Sequence, residues 1–225
     1  MITVILTKHK RENLFEEQYE SILSQTIPVD EILICDNTKQ NTGVWGRFSV
    51  ALHSKNPFVC VIDDDTIPGI KWMENCLNSF ITQEGLYGTC GYVFNSNERY
   101  QDNYQRFGWS NPNEKIMQVD YVVHNWFFKK DWLKYFWSEI PNSKYWLCGE
   151  DMNFSFQLQK QGINTFLPPH PQNDKSLWGS IKGWEYGMGP ESLWESNIEN
   201  FRSNMFEFFD NQIDKGWKLQ YELRG

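Results

Sequence analysis

Three consecutive carboxylates, Asp63-Asp64-Asp65, follow the apolar run Val59-Cys60-Val61-Ile62 and precede Thr66-Ile67-Pro68-Gly69. The apolar run reads as a buried strand, and the carboxylates fall where it must end. Adjacent like charges repel, so a fold that keeps them together needs a cation or a dense set of donors beside them. A divalent metal held by carboxylate oxygens and by the phosphates of a nucleotide meets that need. So does water around an acidic turn closed by Pro-Gly. A second acidic pair, Glu150-Asp151, stands after Trp146-Leu147-Cys148-Gly149 and before an apolar helical face. On its own it reads as the acidic first turn that a helix dipole favours.

The elements that must position these groups alternate along the first 95 residues. Strands are expected at Ile2 to Leu6, Glu31 to Cys35, Pro57 to Ile62 and Leu86 to Phe94. Helices are expected at Arg11 to Ser24, Gly43 to His53 and Gly69 to Thr82, the first with Leu14, Gln18 and Ile22 along one line. A βαβ series with short connections implies a mostly parallel sheet. Beyond it, Asn95 to Asn113 reads as a long loop, Gln118 to Val123 as a strand, and Lys130 to Phe136 and Gly149 to Gln161 as helices. Ile163 to Leu167 reads as the last strand, and Glu191 to about Gln212 as one amphipathic helix using Leu193, Ile198, Phe201, Met205 and Phe208.

Open parallel sheets bind ligands at the carboxyl ends of their strands. Thr7-Lys8-His9-Lys10-Arg11 follows the first strand, Asp36-Asn37-Thr38 the second and Asp63-Asp64-Asp65 the third. Three such clusters on one edge point to a polar, partly anionic ligand. Its class is narrowed by charge: a net charge of −8 argues against nucleic acid, which is bound through clustered Lys and Arg. An aromatic share of 16%, with 11 Trp, suits sugar faces and nucleobases as well as a core. The five cysteines form no CxxC pair and read as buried thiols of a reducing compartment. No run approaches the length of a transmembrane helix, and Met1 to Thr7 reads as a strand and not a leader. The expectation is a cytoplasmic protein of one domain.

These residues together resemble the GT-A glycosyltransferases, in particular the family 2 type. The resemblance rests on Thr7 with Arg11-Glu12-Asn13-Leu14, Ser21 to Thr26, Glu31 to Asn37, Gly43 with Arg47, the Asp63-Asp64-Asp65 group and Gly149 to Phe154. It spans about the first 170 residues in the family's order. It implies a GT-A (Rossmann-like) αβα sandwich with a mostly parallel central sheet, a catalytic and nucleotide-sugar-binding domain over 1–173, and a helical, aromatic-rich C-terminal extension over 174–225 packed on it.

The activity implied is inverting, metal-dependent transfer of a sugar from a nucleotide-sugar donor, most readily UDP-linked, to a hydroxyl of a glycan or glycoconjugate acceptor. The implied cofactor is Mn²⁺ or Mg²⁺, held by Asp65, by Asp63 and by a late histidine, His170, in its proline frame. Thr7, Arg11, Asp36, Arg47, Asp63, Asp64 and Trp126 are implied at the nucleotide-sugar, with Asp36 at the base or, alternatively, closing an Asx-turn. Asp151 is implied as catalytic base, with Glu150 orienting the acceptor. Trp126 stacks on a sugar or lies in the core. Trp178, Trp184, Tyr186 and Trp194 form an acceptor lid hinged at Gly179, Gly183, Gly187 and Gly189, or an ordinary C-terminal wrap. A sugar nucleotidyltransferase, a retaining GT-A transferase and a non-catalytic carbohydrate-binding module are the competing readings.

Overall fold

The computed structural model describes residues 1–97 and 103–223. In chain order these form β1 (Ile2–Lys8), α1 (Glu12–Leu23), β2 (Glu31–Asp36), α2 (Gly46–Ala51), β3 (Phe58–Ile62), α3 (Trp72–Thr82) and β4 (Leu86–Phe94). There follow β5 (Tyr104–Gly108), β6 (Met117–Val119), β7 (Tyr121–Lys129), α4 (Leu133–Phe136), α5 (Glu150–Gln159) and β8 (Thr165–Leu167). The C-terminal part carries α6 (Gly183–Tyr186), α7 (Leu193–Ser196), α8 (Phe201–Asp214) and α9 (Gln220–Leu223).

All strands join one sheet of order β2-β1-β3-β7-β4-β8-β6, with β5 on β4. This is the expected α/β class, but the sheet is mixed and not mostly parallel. β2, β1 and β3 pair in parallel, as do β4 and β8, whereas β7 runs antiparallel between β3 and β4. β5 and β6 are antiparallel to their neighbours as well. The βα alternation correctly aligns β3 and β4 in direction, but it carries no information about a strand inserted between them from further along the chain.

β1 and β3 are apolar and buried along nearly their whole length because helices cover both faces of the sheet. The core is strongly aromatic beneath α2 and α5. The Phe48 ring lies 4.3 Å from Phe136, 5.5 Å from Trp126 and 5.8 Å from Phe154. Such ring pairs contribute about 0.5–1.5 kcal/mol each beyond area burial.

Met205, Phe208 and Phe209 of α8, with Trp217 and Leu219, belong to this same core. The continuous helix expected from Glu191 is broken: Asn197, Glu199 and Asn200 have φ of 46°, 51° and 59°. α8 therefore starts at Phe201, and Ile198 is exposed. β5 lies inside the stretch read as a loop, of which residues 98–102 lie outside the described residues. The five cysteines are all buried and free. Among the described residues no helix is long and apolar enough to cross a membrane.

Candidate functional site

The parallel register places the ends of β1, β2 and β3 on one edge. A cleft of about 430 Å³ opens there, lined by Thr7, Arg11, Asn37, Arg47, Asp63, Asp64, Asp65, Trp126, Glu150 and Asp151 from the expected set and its neighbours. This is the size of a small-molecule site. The turn after β3 is pinned from beneath: the Gln18 side-chain amide of α1 donates to the Asp63 carbonyl at 2.6 Å and the Thr66 carbonyl at 2.8 Å. Gln18 thus fixes the backbone that presents the carboxylates, a role that its place on the apolar line of α1 does not announce.

Two arginines organise the acidic groups. Arg47, 7% exposed, donates to Asp63 and, at 2.5 Å, to Glu150, and its guanidinium lies 4.5 Å from the Trp126 ring. Arg11 Nη1 stands 3.0 Å from Asp64 Oδ1 and 3.6 Å from Asp65 Oδ2, while its Nε is 4.0 Å from Glu191. Burial would raise the Asp63 pKa, but Arg47 and His124 outweigh it and hold it below the usual range. Burial, with Asp65 beside it, pushes Asp64 up to about 6. Glu150 is raised by burial and by the Asp151 charge against the pull of Arg47. Burial likewise pushes Asp151 up to about 6, against the Met152 N–H that its side chain accepts at 2.7 Å.

Asp63 and Asp65 each turn one oxygen to an arginine and the other toward a space shared with His124. Nδ1 of His124 is 3.6 Å from Asp63 Oδ2 and 3.8 Å from Asp65 Oδ1, and the three groups offer ligand atoms within 4.8 Å of one another. His124 reaches this position through a β-bulge. The β4–β7 register shifts between Gly88 and Cys90, and His124 takes φ 70°. A positive φ on a non-glycine residue is costly and collects at functional sites. No residue spacing in the sequence announces the bulge. Arg106 Nη2 meets His124 Nε2 at 2.9 Å. Arginine can only donate, so Nε2 accepts and the ring hydrogen sits on Nδ1, facing the carboxylates. That tautomer leaves Asp63 and Asp65 as the oxygen ligands suited to a hard divalent cation, with His124 as their donor neighbour.

Several expected roles are corrected. His170 is not near this cluster: it is fully buried, with Nδ1 at 2.9 Å from the Pro168 carbonyl and Nε2 accepting from Gly179 N–H at 3.3 Å. Trp72 and Trp178 pack around it, so the proline frame encloses the ring and does not display it. Asp36 faces solvent and accepts from Thr38 N–H at 2.9 Å and Thr38 Oγ1 at 2.6 Å, which is the Asx-turn alternative. Asn37 lines the cleft in its stead. Trp126 is 1% exposed, with its indole N–H on the Val122 carbonyl and Arg47 on its face, so it supports Arg47 and offers no sugar platform. Thr7 is buried in the cleft wall with an unpartnered Oγ1.

In the C-terminal part, Trp184 and Trp194 line the cleft, whereas Trp178 is buried and Tyr186 donates to Glu17. Gly179 and Gly183 are close approaches and not hinges. A Cβ on Gly179 would stand 1.6 Å from Thr89 Oγ1, and one on Gly183 would stand 2.7 Å from Trp109.

Gly149, which opens α5 at φ 85°, has the Phe208 ring 2.7 Å from where a Cβ would sit. Gly149→Ala is expected to cost about 2–4 kcal/mol through left-handed backbone and overpacking, read as a lowered Tm with weakened activity. His170 is held by burial at a pKa of about 4. A histidine with a lowered folded pKa stabilises above about pH 6.5 and loses that contribution as pH falls toward the folded value. Urea unfolding at pH 7 and pH 5 is expected to differ by about 2 kcal/mol from this group, and His170→Gln to lack that share of the pH slope.

No family model matches this chain, and no curated protein matches it. Among solved structures, the crystal structure of A197 from STIV matches at 15% identity with a TM-score of 0.45, covering 76% of this chain and 83% of that one.

Proposed function

We propose that the protein is an inverting, metal-dependent glycosyltransferase that moves a sugar from a nucleotide-sugar to an acceptor hydroxyl. The observation that carries this reading is the meeting, in one cleft, of the paired Asp63 and Asp65 carboxylates with Asp151, a half-buried carboxylate near pKa 6 that is ion-paired to no arginine among the described residues. Asp63 and Asp65 would hold Mn²⁺ or Mg²⁺ together with the donor's phosphates. When bound there, the cation supplies compensation for the charge that grows on the departing diphosphate.

The remaining work belongs to the chain. Thr7, with its unspent hydroxyl, and Arg11 border the donor side. Arg47 holds Asp63 and Glu150 in fixed rotamers, so neither carboxylate must be reoriented when the donor arrives. Asp151 accepts the proton of the acceptor hydroxyl as that oxygen attacks the anomeric carbon and the bond to the diphosphate breaks. The attack comes from the face opposite the leaving group, so the product is inverted.

Asp65→Asn separates this reading from a sugar-binding module. Calorimetry is expected to give Mn²⁺-dependent binding of UDP to the unaltered protein, weakened at least about tenfold in the variant. Equal nucleotide binding with and without Mn²⁺ would sink the metal assignment.

A further inference from the structure

We propose that the aromatic side of the cleft is an acceptor subsite for a sugar carrying an anionic group, with Arg106 binding the anion. This rests on the transfer reading and names the acceptor class for the same cleft.

Three arginines line the cleft, and two of them, Arg11 and Arg47, are paired with carboxylates. Arg106 has no carboxylate within 4.0 Å among the described residues. Its guanidinium carbon lies 4.7 Å from the Trp109 ring centre, 5.6 Å from Trp184 and 5.6 Å from Tyr92. Its Nη2 is spent on His124, and its Nε is buried without an acceptor. Ring faces attract a cation but carry no net charge. A half-buried guanidinium among rings, a thiol and an imidazole, with no carboxylate in reach, is therefore a desolvated charge that its described neighbours leave uncompensated. A carboxylate or phosphate from a ligand supplies the missing charge through a charge-assisted hydrogen bond.

The same rings choose the rest of the ligand. Trp109 and Trp184 stand 4.9 Å apart at 77°, and Trp184 is 56% exposed at the cleft wall. Such amphipathic faces suit the C–H face of a pyranose. The location assigns this subsite to the acceptor and not to the donor. Arg106 lies on the side of His124 away from Asp63 and Asp65, and Tyr92 beside it lines the same cleft as Asp151. The anionic group therefore binds on the same side as the base.

The test is ligand-observed NMR on the full chain saturated with Mn²⁺ and UDP, using methyl glucuronide, glucose 6-phosphate, methyl glucoside and inorganic phosphate. At least one of the two acidic sugars is expected to bind about tenfold tighter than the neutral glucoside, and which one separates a carboxylate from a phosphate as the natural group. Inorganic phosphate alone is expected to bind more weakly than either. Arg106→Gln should erase the preference, Arg106→Lys should retain part of it, and Trp184→Ala should weaken all three sugars alike. Equal binding of glucoside and acidic sugars, a preference that survives Arg106→Gln, phosphate binding as well as its sugar ester, or no sugar binding at all would each overturn the proposal. UDP binding is read separately, so its loss would count against the transfer reading and leave the sugar preference as an independent result.

Discussion

Asp151→Asn is expected to lower turnover by about 10²–10⁴-fold and to leave Mn²⁺-dependent UDP binding unchanged. The amide keeps the shape and can still accept the Met152 N–H at the start of α5, so the fold is retained. What it cannot do is take the acceptor's proton as the new bond forms. The pH profile carries a second signature. Burial pushes Asp151 up to about 6, and a base works only when deprotonated. Turnover of the unaltered protein should therefore fall about tenfold per unit below pH 6 and level off above it, whereas the residual activity of the variant should lack that limb. A variant that turns over normally would move the base elsewhere in the cleft.

Arg47→Met is expected to give the largest loss of stability. Arg47 is the sole cation bridging Asp63 and Glu150 among the described residues, and both carboxylates sit in a cleft wall backed by aromatic core. Removing one partner of a buried pair leaves the others uncompensated, at about 3–5 kcal/mol, a Tm drop on the order of 10 °C for a chain of this size. The pH dependence has a defined sign. In the unaltered protein Asp63 is held below its usual range, so its contribution is present above pH 4 or so and is lost as pH falls through the lowered value. Without Arg47 burial dominates and the folded pKa rises above the unfolded one. The penalty is then absent below about pH 4 and grows as pH rises. Urea unfolding should find a smaller deficit at pH 5 than at pH 8, and Glu150→Gln in the Arg47→Met background should recover part of it. A deficit independent of pH would mean that Arg47 acts through packing on Trp126 alone.

The parts of this site that are local in sequence were legible there. An apolar run ending in three carboxylates had to end at a sheet edge, and Glu150-Asp151, after Gly149 and before an apolar helical face, read as the first turn of a helix. The parts that depend on distant pairings were not. β7 enters the sheet antiparallel between β3 and β4, which alternation of strands and helices cannot encode. His124 comes into play only through the bulge in that inserted strand, and Arg106 only because β5 pairs with β4 inside a segment whose composition resembles a loop. His170 failed for the converse reason. Its flanking prolines suggest a rigid display, but Trp72, far back in the sequence, and Trp178, in the turn that follows, enclose it. Asp36 had an Asx-turn signature in Asp36-Asn37-Thr38, and the local hydrogen bonds to Thr38 determine its orientation.

The central claim is that Asp63, Asp65 and Asp151 act together on a nucleotide-sugar. Its most direct test is turnover of a panel of nucleotide sugars with Mn²⁺ and a mixture of neutral and acidic glycosides, followed by NMR of the product's anomeric centre. Metal-dependent release of nucleotide with a glycosidic product of inverted configuration is expected, abolished by chelation and by Asp151→Asn. Nucleotide release without Mn²⁺, a retained anomer, or no turnover across the whole panel would contradict it.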